Sequence, residues 1–149
     1  MLVLETQINT DTEEDKIIST DKETHEIKKV IDLEELFINY RQNLGSSQDE
    51  ALDWMHINSL ELVGKDSLII SSRETSTIMK LDNIYSNPTV DYMIGSNNFW
   101  QESGYDDLLL TTTSDFSLQA GKHCVTYVDD ATLARGHYYL YLYNNHLEV

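Results

Sequence analysis

An imidazole at His56, a carboxamide at Asn58 and a guanidinium at Arg73 are groups that suit one job, holding a tetrahedral oxyanion such as sulfate or phosphate. Asn58 lies two positions after His56, so on a strand both side chains leave from one face. Arg73 ends the next apolar run, beyond a Gly64-Lys65-Asp66 turn, where an antiparallel partner returns to the His56 end. Its planar fork of donors matches sulfate or phosphate. The plainer readings are a strand-initial histidine satisfied by backbone, and an arginine paired on the surface with Glu74 or Glu61. His123 opens a later segment of similar layout and follows Gly121, which permits close approach by a ligand or another backbone. A neutral imidazole is a competent nucleophile. A second histidine therefore turns an oxyanion grip toward group transfer, although a core or surface histidine explains His123 equally well on spacing alone.

Other chemistry finds less support. Cys124 is the only cysteine, so neither an intramolecular disulfide nor a cysteine metal cluster is available. Strand alternation places it opposite His123, facing a core if the histidine faces a cleft. His56, His123 and His137 show no HxH or HExxH spacing, so no metal is expected. His137 beside a tyrosine strand and His146 near the end of the sequence look less constrained. No P-loop, GxGxxG or GxSxG motif occurs, and no cofactor is implied.

The elements that would position these groups are β-strands. Residues 5–24 are polar and read as a flexible or edge segment, a leader spanning residues 1–24. Residues 25–32 alternate modestly and lead into a helix-like Leu33-Glu34-Glu35-Leu36-Phe37, with a loop over 43–50. Four short antiparallel strands follow, over 56–63, 67–73, 75–81 and 90–94. After a loop-rich stretch to 120, strands are expected over 123–128 and 137–143. Leu140 and Leu142 alternate with tyrosines, so part of that run belongs to a core. Each unit starts with a histidine, a weak internal repeat in layout that suggests blades sharing an axis. The fold class expected is all-β, a partial propeller of about two blades. A propeller closes with four or more.

At 149 residues one globular domain is the natural expectation, here residues 25–149. The 26 Asp and Glu against 10 Lys and Arg leave a net charge of −16, which argues against a nucleic-acid partner. It also makes any anion site a local exception in an unfavourable field. No apolar run approaches the roughly 20 residues of a membrane span. The first residues lack the basic and apolar regions of a signal peptide, which reads as cytoplasmic if the chain is complete.

The blocks Asp53-Trp54-Met55-His56-Ile57-Asn58-Ser59, Asp66-Ser67-Leu68-Ile69-Ile70-Ser71-Ser72-Arg73, Ile94-Gly95-Ser96, Gly121-Lys122-His123 and Tyr143-Asn144-Asn145 resemble, in order, the bacterial arylsulfate sulfotransferases. The resemblance covers residues 25–149. It implies a six-bladed β-propeller enzyme, exported to the periplasm or beyond and commonly dimeric, without a cofactor. Such an enzyme moves a sulfuryl group from a phenolic sulfate donor to a phenol acceptor, through a transiently sulfated histidine. His123 matches that nucleophile, while His56, Asn58 and Arg73 match residues that grip the sulfuryl oxygens and protonate or orient the phenolic oxygen. Family members are several times longer and use a further histidine that has no match here, and Lys122 stands where the family often has glutamine. The chain thus reads as a segment of such an enzyme. The alternative is a catalytically inactive truncated propeller or an anion-binding β module.

Overall fold

In the computed structural model, residues 1–8, 13–43, 53–113, 121 and 123–145 are described. They form three antiparallel sheets. β1 (Leu2–Ile8), β2 (Glu13–Thr20) and β3 (Ile27–Asp32) make the first, in that order. Two short helices follow, α1 (Leu33–Leu36) and α2 (Ile38–Asn43). β4 (Ile57–Val63), β5 (Ser67–Ser72), β6 (Thr77–Asp82) and β7 (Thr89–Ile94) form a four-stranded meander. β8 (His123–Val128) and β9 (Tyr139–Tyr143) pair as a hairpin. The chain is mostly β, as its alternating patterns suggest, and the described sheets do not close into a barrel.

The expected strands from residue 56 onward all form, with ends shifted by a residue or two. Thr75 and Ser76 belong to the turn before β6, and His137 and Tyr138 precede β9. The polar leader is largely extended structure: β1 pairs along its whole length with β2, and β1 is an edge strand of its sheet. β2 pairs in turn with β3, so residues on both sides of position 25 share one sheet. Ile17 supplies the apolar anchor of β2, buried against the main core. α2 was not expected. The loop expected over 43–50 lies outside the described residues except for Asn43, which ends α2. Asp32 caps α1, its carboxylate accepting from the backbone N–H of Glu34 and Glu35 at 3.0 and 3.3 Å.

The central meander is covered on both faces, and this explains the unbroken apolar run Leu68-Ile69-Ile70 in β5. Leu68 and Ile70 point into the main core with Ile17, Ile31, Leu33, Phe37, Met79 and Leu81. Ile69 points the other way, joining Ile78 and Val125 in a second cluster over which Leu140 and Leu142 pack. Tyr139, Tyr141 and Tyr143 take the opposite, exposed face of β9. The leucines of the tyrosine strand are therefore its inward residues, as alternation required.

Gly95, just after β7, sits where a side chain cannot go. A Cβ there would lie 2.6 Å from Thr77 Oγ1. That hydroxyl is held in place, donating to the Thr75 carbonyl at 2.8 Å and accepting from Trp100 Nε1 at 2.9 Å. Gly95→Ala should cost about 1–3 kcal/mol, because the clash falls on a buried, doubly bonded atom. Urea denaturation measures it, and an unchanged midpoint would show that Thr77 can yield.

Lys80 bridges β6 and β7, its Nζ lying 2.8 Å from Asp82 and 2.6 Å from Asp91. Burial pushes the ammonium pKa down, but hydrogen bonds to Asp82 and Asp91 outweigh it and leave Lys80 above its ordinary value. Burial likewise pushes Asp82 up, while hydrogen bonds from Lys80 and Ser67 carry it below the usual carboxylate range. Asp82, depressed in the fold, contributes stability that is present above its ordinary 3.8 and is lost as pH falls through its folded value. Lys80, raised, contributes stability that is present below 10.5 and is lost as pH rises through its folded value. Solvent screens the partly exposed carboxylates, so Lys80→Met should cost only about 1 kcal/mol near neutral pH. That difference should shrink as pH falls toward about 2. Urea melts at the two pH values test it; a difference independent of pH would assign the effect to packing alone.

Candidate functional site

The site is built on the entry to β4 and the turn that faces it. Trp54 and Met55 are both buried, so the chain cannot alternate there as a strand would. His56 absorbs the change of direction with φ of 47°, the left-handed region that non-glycine residues seldom occupy. Neighbouring hydrogen bonds hold it in that conformation. Ser72 Oγ donates to the Met55 carbonyl. The Arg73 N–H donates to the His56 carbonyl at 3.0 Å. The Ile57 N–H donates to the carboxylate of Asp15 at 2.5 Å, a buried group reaching across from β2. The imidazole projects from this fixed backbone half-buried, with Nδ1 hydrogen-bonded to Asp53.

His56 thus precedes β4, and the same-face argument for His56 and Asn58 does not hold as stated. The register shifts between Ile57 and Ser59, a bulge that sets Asn58 and Ser59 together opposite Ser71. Ser71 Oγ donates to Asn58 Oδ1 at 2.5 Å and lies 2.7 Å from Ser59 Oγ. With Oδ1 engaged, the donor end of the Asn58 amide is its Nδ2. Arg73 stands exposed in the turn between β5 and β6, with Nε 3.7 Å from a Glu74 carboxylate oxygen. A surface pair of that length contributes little.

His123 is the first residue of β8, half-buried and paired with Tyr143. Two serines tie its flanks to the His56 end of the meander. The Gly121 N–H donates to Ser76 Oγ at 3.1 Å, and Ser76 belongs to the turn that begins at Arg73. On the other side, the Val125 N–H donates to Ser59 Oγ at 3.2 Å. Asn145 closes the hairpin by donating from Nδ2 to the Gly121 carbonyl at 2.8 Å. What these bonds bring together is the backbone carrying His56, Asn58, Arg73 and His123. Cys124 departs from expectation. It is exposed, because β8 bulges between His123 and Thr126 and Cys124 takes φ of 54°. Val125 is the residue that turns inward instead.

Other histidines stand apart. His25 is exposed, His137 is exposed with Nδ1 3.2 Å from the Ala134 carbonyl, and His146 lies outside the described residues. His137 lines a groove of about 400 Å³ with Tyr92, Tyr138 and Leu140, and none of the four candidate residues lines it. Burial, then a hydrogen bond with Tyr138, pushes the Tyr92 phenol far above its ordinary pKa.

Sequence reasoning missed Asp15 and Asp53, whereas Glu74 is the surface partner of Arg73 that it named. Ligand-type atoms of Asp53, His56 and Glu74 lie within 4.8 Å of one another, a convergence that HxH and HExxH spacing does not reveal. Each carboxylate already has a cationic or imidazole partner, Asp53 at His56 and Glu74 at Arg73. Asp53 was legible as the residue three before His56; Asp15 was not, being 42 positions from its partner.

A comparison with known families matches residues 1–149 to the arylsulfotransferase (ASST) family. The chain belongs to that family. The match takes in β1 and β2 as well, so the resemblance reaches further than residues 25–149. No curated protein and no solved structure matches the chain. Membership of that family implies phenolic substrates. Among the described residues, no helix is long and apolar enough to cross a membrane.

Proposed function

We propose that the chain carries part of the active site of an aryl sulfotransferase that works through a sulfated His123. The observation that carries this reading is the double tether of the His123 strand, through Ser76 and Ser59, to the backbone that bears His56, Asn58 and Arg73. In the first half-reaction a nitrogen lone pair of His123 attacks sulfur. The bond from sulfur to the phenolic oxygen breaks, and its electron pair leaves on that oxygen, which takes up a proton. In the second, an acceptor phenol oxygen attacks sulfur and gives up its proton, the N–S bond breaks, and the imidazole is restored. His56, Asn58 and Arg73 supply donors to the sulfuryl and phenolic oxygens, where charge grows as the bonds change. The four-stranded meander and the β8–β9 hairpin are read as neighbouring propeller blades, packed face to face through Ile69, Ile78 and Val125. Further blades would complete the funnel.

Incubation with 4-nitrophenyl sulfate and a phenol acceptor tests the proposal, using the protein encoded by the complete reading frame. Release of nitrophenol that depends on the acceptor, with formation of the acceptor's sulfate, is the expected result. No release, or release as free sulfate without transfer, overturns it.

A further inference from the structure

Asp53 belongs to no part of the mechanism above, yet its carboxylate is the direct partner of the His56 ring. An ionised carboxylate only accepts hydrogen bonds, so a ring nitrogen bonded to it carries a proton. Nδ1 is that nitrogen, which fixes the neutral ring as the Nδ1–H tautomer and leaves Nε2 with the lone pair. The backbone around the ring is fixed as well, by Ser72 on the peptide group before His56 and by Arg73 and Asp15 on the one after it. Rotation of the ring about its side-chain bonds is the freedom that remains, and the bond to Asp53 removes it. The two residues lie three apart, on either side of the buried pair Trp54 and Met55, which anchor the segment between them.

We propose that Asp53 is a positioning residue: it locks His56 in one tautomer and one orientation, so that Nε2 exchanges the proton of the phenolic oxygen. The inference deepens the reading of the same site as a sulfuryl-transfer centre and rests on it. In the first half-reaction His56 enters with protons on both nitrogens, and its Nε2–H passes to the departing phenolic oxygen. That leaves the Nδ1–H tautomer, still bonded to Asp53. In the second half-reaction the Nε2 lone pair takes the proton of the attacking phenol. Charge and protons balance over the cycle, and Asp53 keeps its negative charge throughout.

A role of this kind has a signature that simple structural support lacks. A phenol with a low pKa leaves readily as its anion, whereas an unactivated phenol needs the proton. Asp53→Asn can donate to Nδ1 and so permit the opposite tautomer. In that variant, kcat with an unactivated aryl sulfate should fall about 10²-fold or more, and with 4-nitrophenyl sulfate only several-fold. Imidazole ¹⁵N shifts of His56, measured without substrate at a pH high enough to leave the ring neutral, provide a readout independent of turnover. The wild type should show the Nδ1–H form, and Asp53→Asn should lose it while keeping the wild-type melting temperature. An equal loss with both donors, or an unchanged ¹⁵N pattern, would overturn the proposal. If the wild type turns over no aryl sulfate, the transfer reading fails by itself, while the tautomer measurement still decides whether Asp53 sets the ring.

Discussion

His123→Ala should abolish transfer from 4-nitrophenyl sulfate while leaving the fold close to wild type. The expected loss is roughly 10⁴-fold or more, since a nucleophile that forms the covalent intermediate has no substitute among the remaining groups. The side chain is only half-buried and begins a strand, so its truncation should cost at most about 1 kcal/mol of stability. Positioning of the neighbouring backbone does not depend on the imidazole, because Gly121 and Val125 make the tethers to Ser76 and Ser59. The variant should therefore retain the wild-type melt and lose the burst of nitrophenol that accompanies sulfation of the enzyme. Protein-bound label after incubation with ³⁵S-labelled aryl sulfate should disappear with it. Retained turnover in a well-folded variant would remove His123 from the chemistry. Lost turnover with a collapsed melt would instead point to a structural histidine.

The parts of this arrangement that were legible in the sequence are those made by local rules. β4 and β5 were visible because Gly64-Lys65-Asp66 marks the turn and apolar residues flank it, and Gly64 indeed takes φ of 63° there. β8 was found with its observed ends. The family resemblance named His56, Asn58, Arg73 and His123, and the tethers place their backbones at one end of the meander. What escaped depends on distant or irregular structure. Bulges follow both His56 and His123, and a period-two rule fails across each. The first bulge sets Asn58 beside Ser59; the second brings Cys124 out and Val125 in. β2 was hard to see because its charged residues hide the alternation, with Ile17 and Asp15 the buried residues that matter in it. Asp15 illustrates the general limit. A buried acid next to a polar stretch looks like surface until the Ile57 N–H that it satisfies is known.

Trp100→Ala should be the most destabilising single change, costing about 3–5 kcal/mol. The indole is fully buried and lies against Phe37, Tyr40 and Tyr105, with ring centroids 4.4 to 5.9 Å away. Through these rings it joins the end of α1 and the body of α2 to the segment after β7. Its Nε1 also donates to Thr77 Oγ1, at the start of β6. A domain of this size has a total stability of about 5–15 kcal/mol, so the loss is a large share of it. The melting temperature should drop by about 10 °C or more. Trp100→Phe separates the two contributions: it keeps most of the ring contact and removes the N–H, and should cost about 1–2 kcal/mol. Thr77 follows directly on Ser76, the turn residue that connects Arg73 to Gly121. Loosening Trp100 should therefore reach the site through one short path, and turnover should fall in step with stability across the two variants. Equal stability of Trp100→Ala and Trp100→Phe would show that the aromatic cluster does not hold the helices to the meander. Activity that survives the melt shift unchanged would show that the Arg73 turn is held by the meander alone.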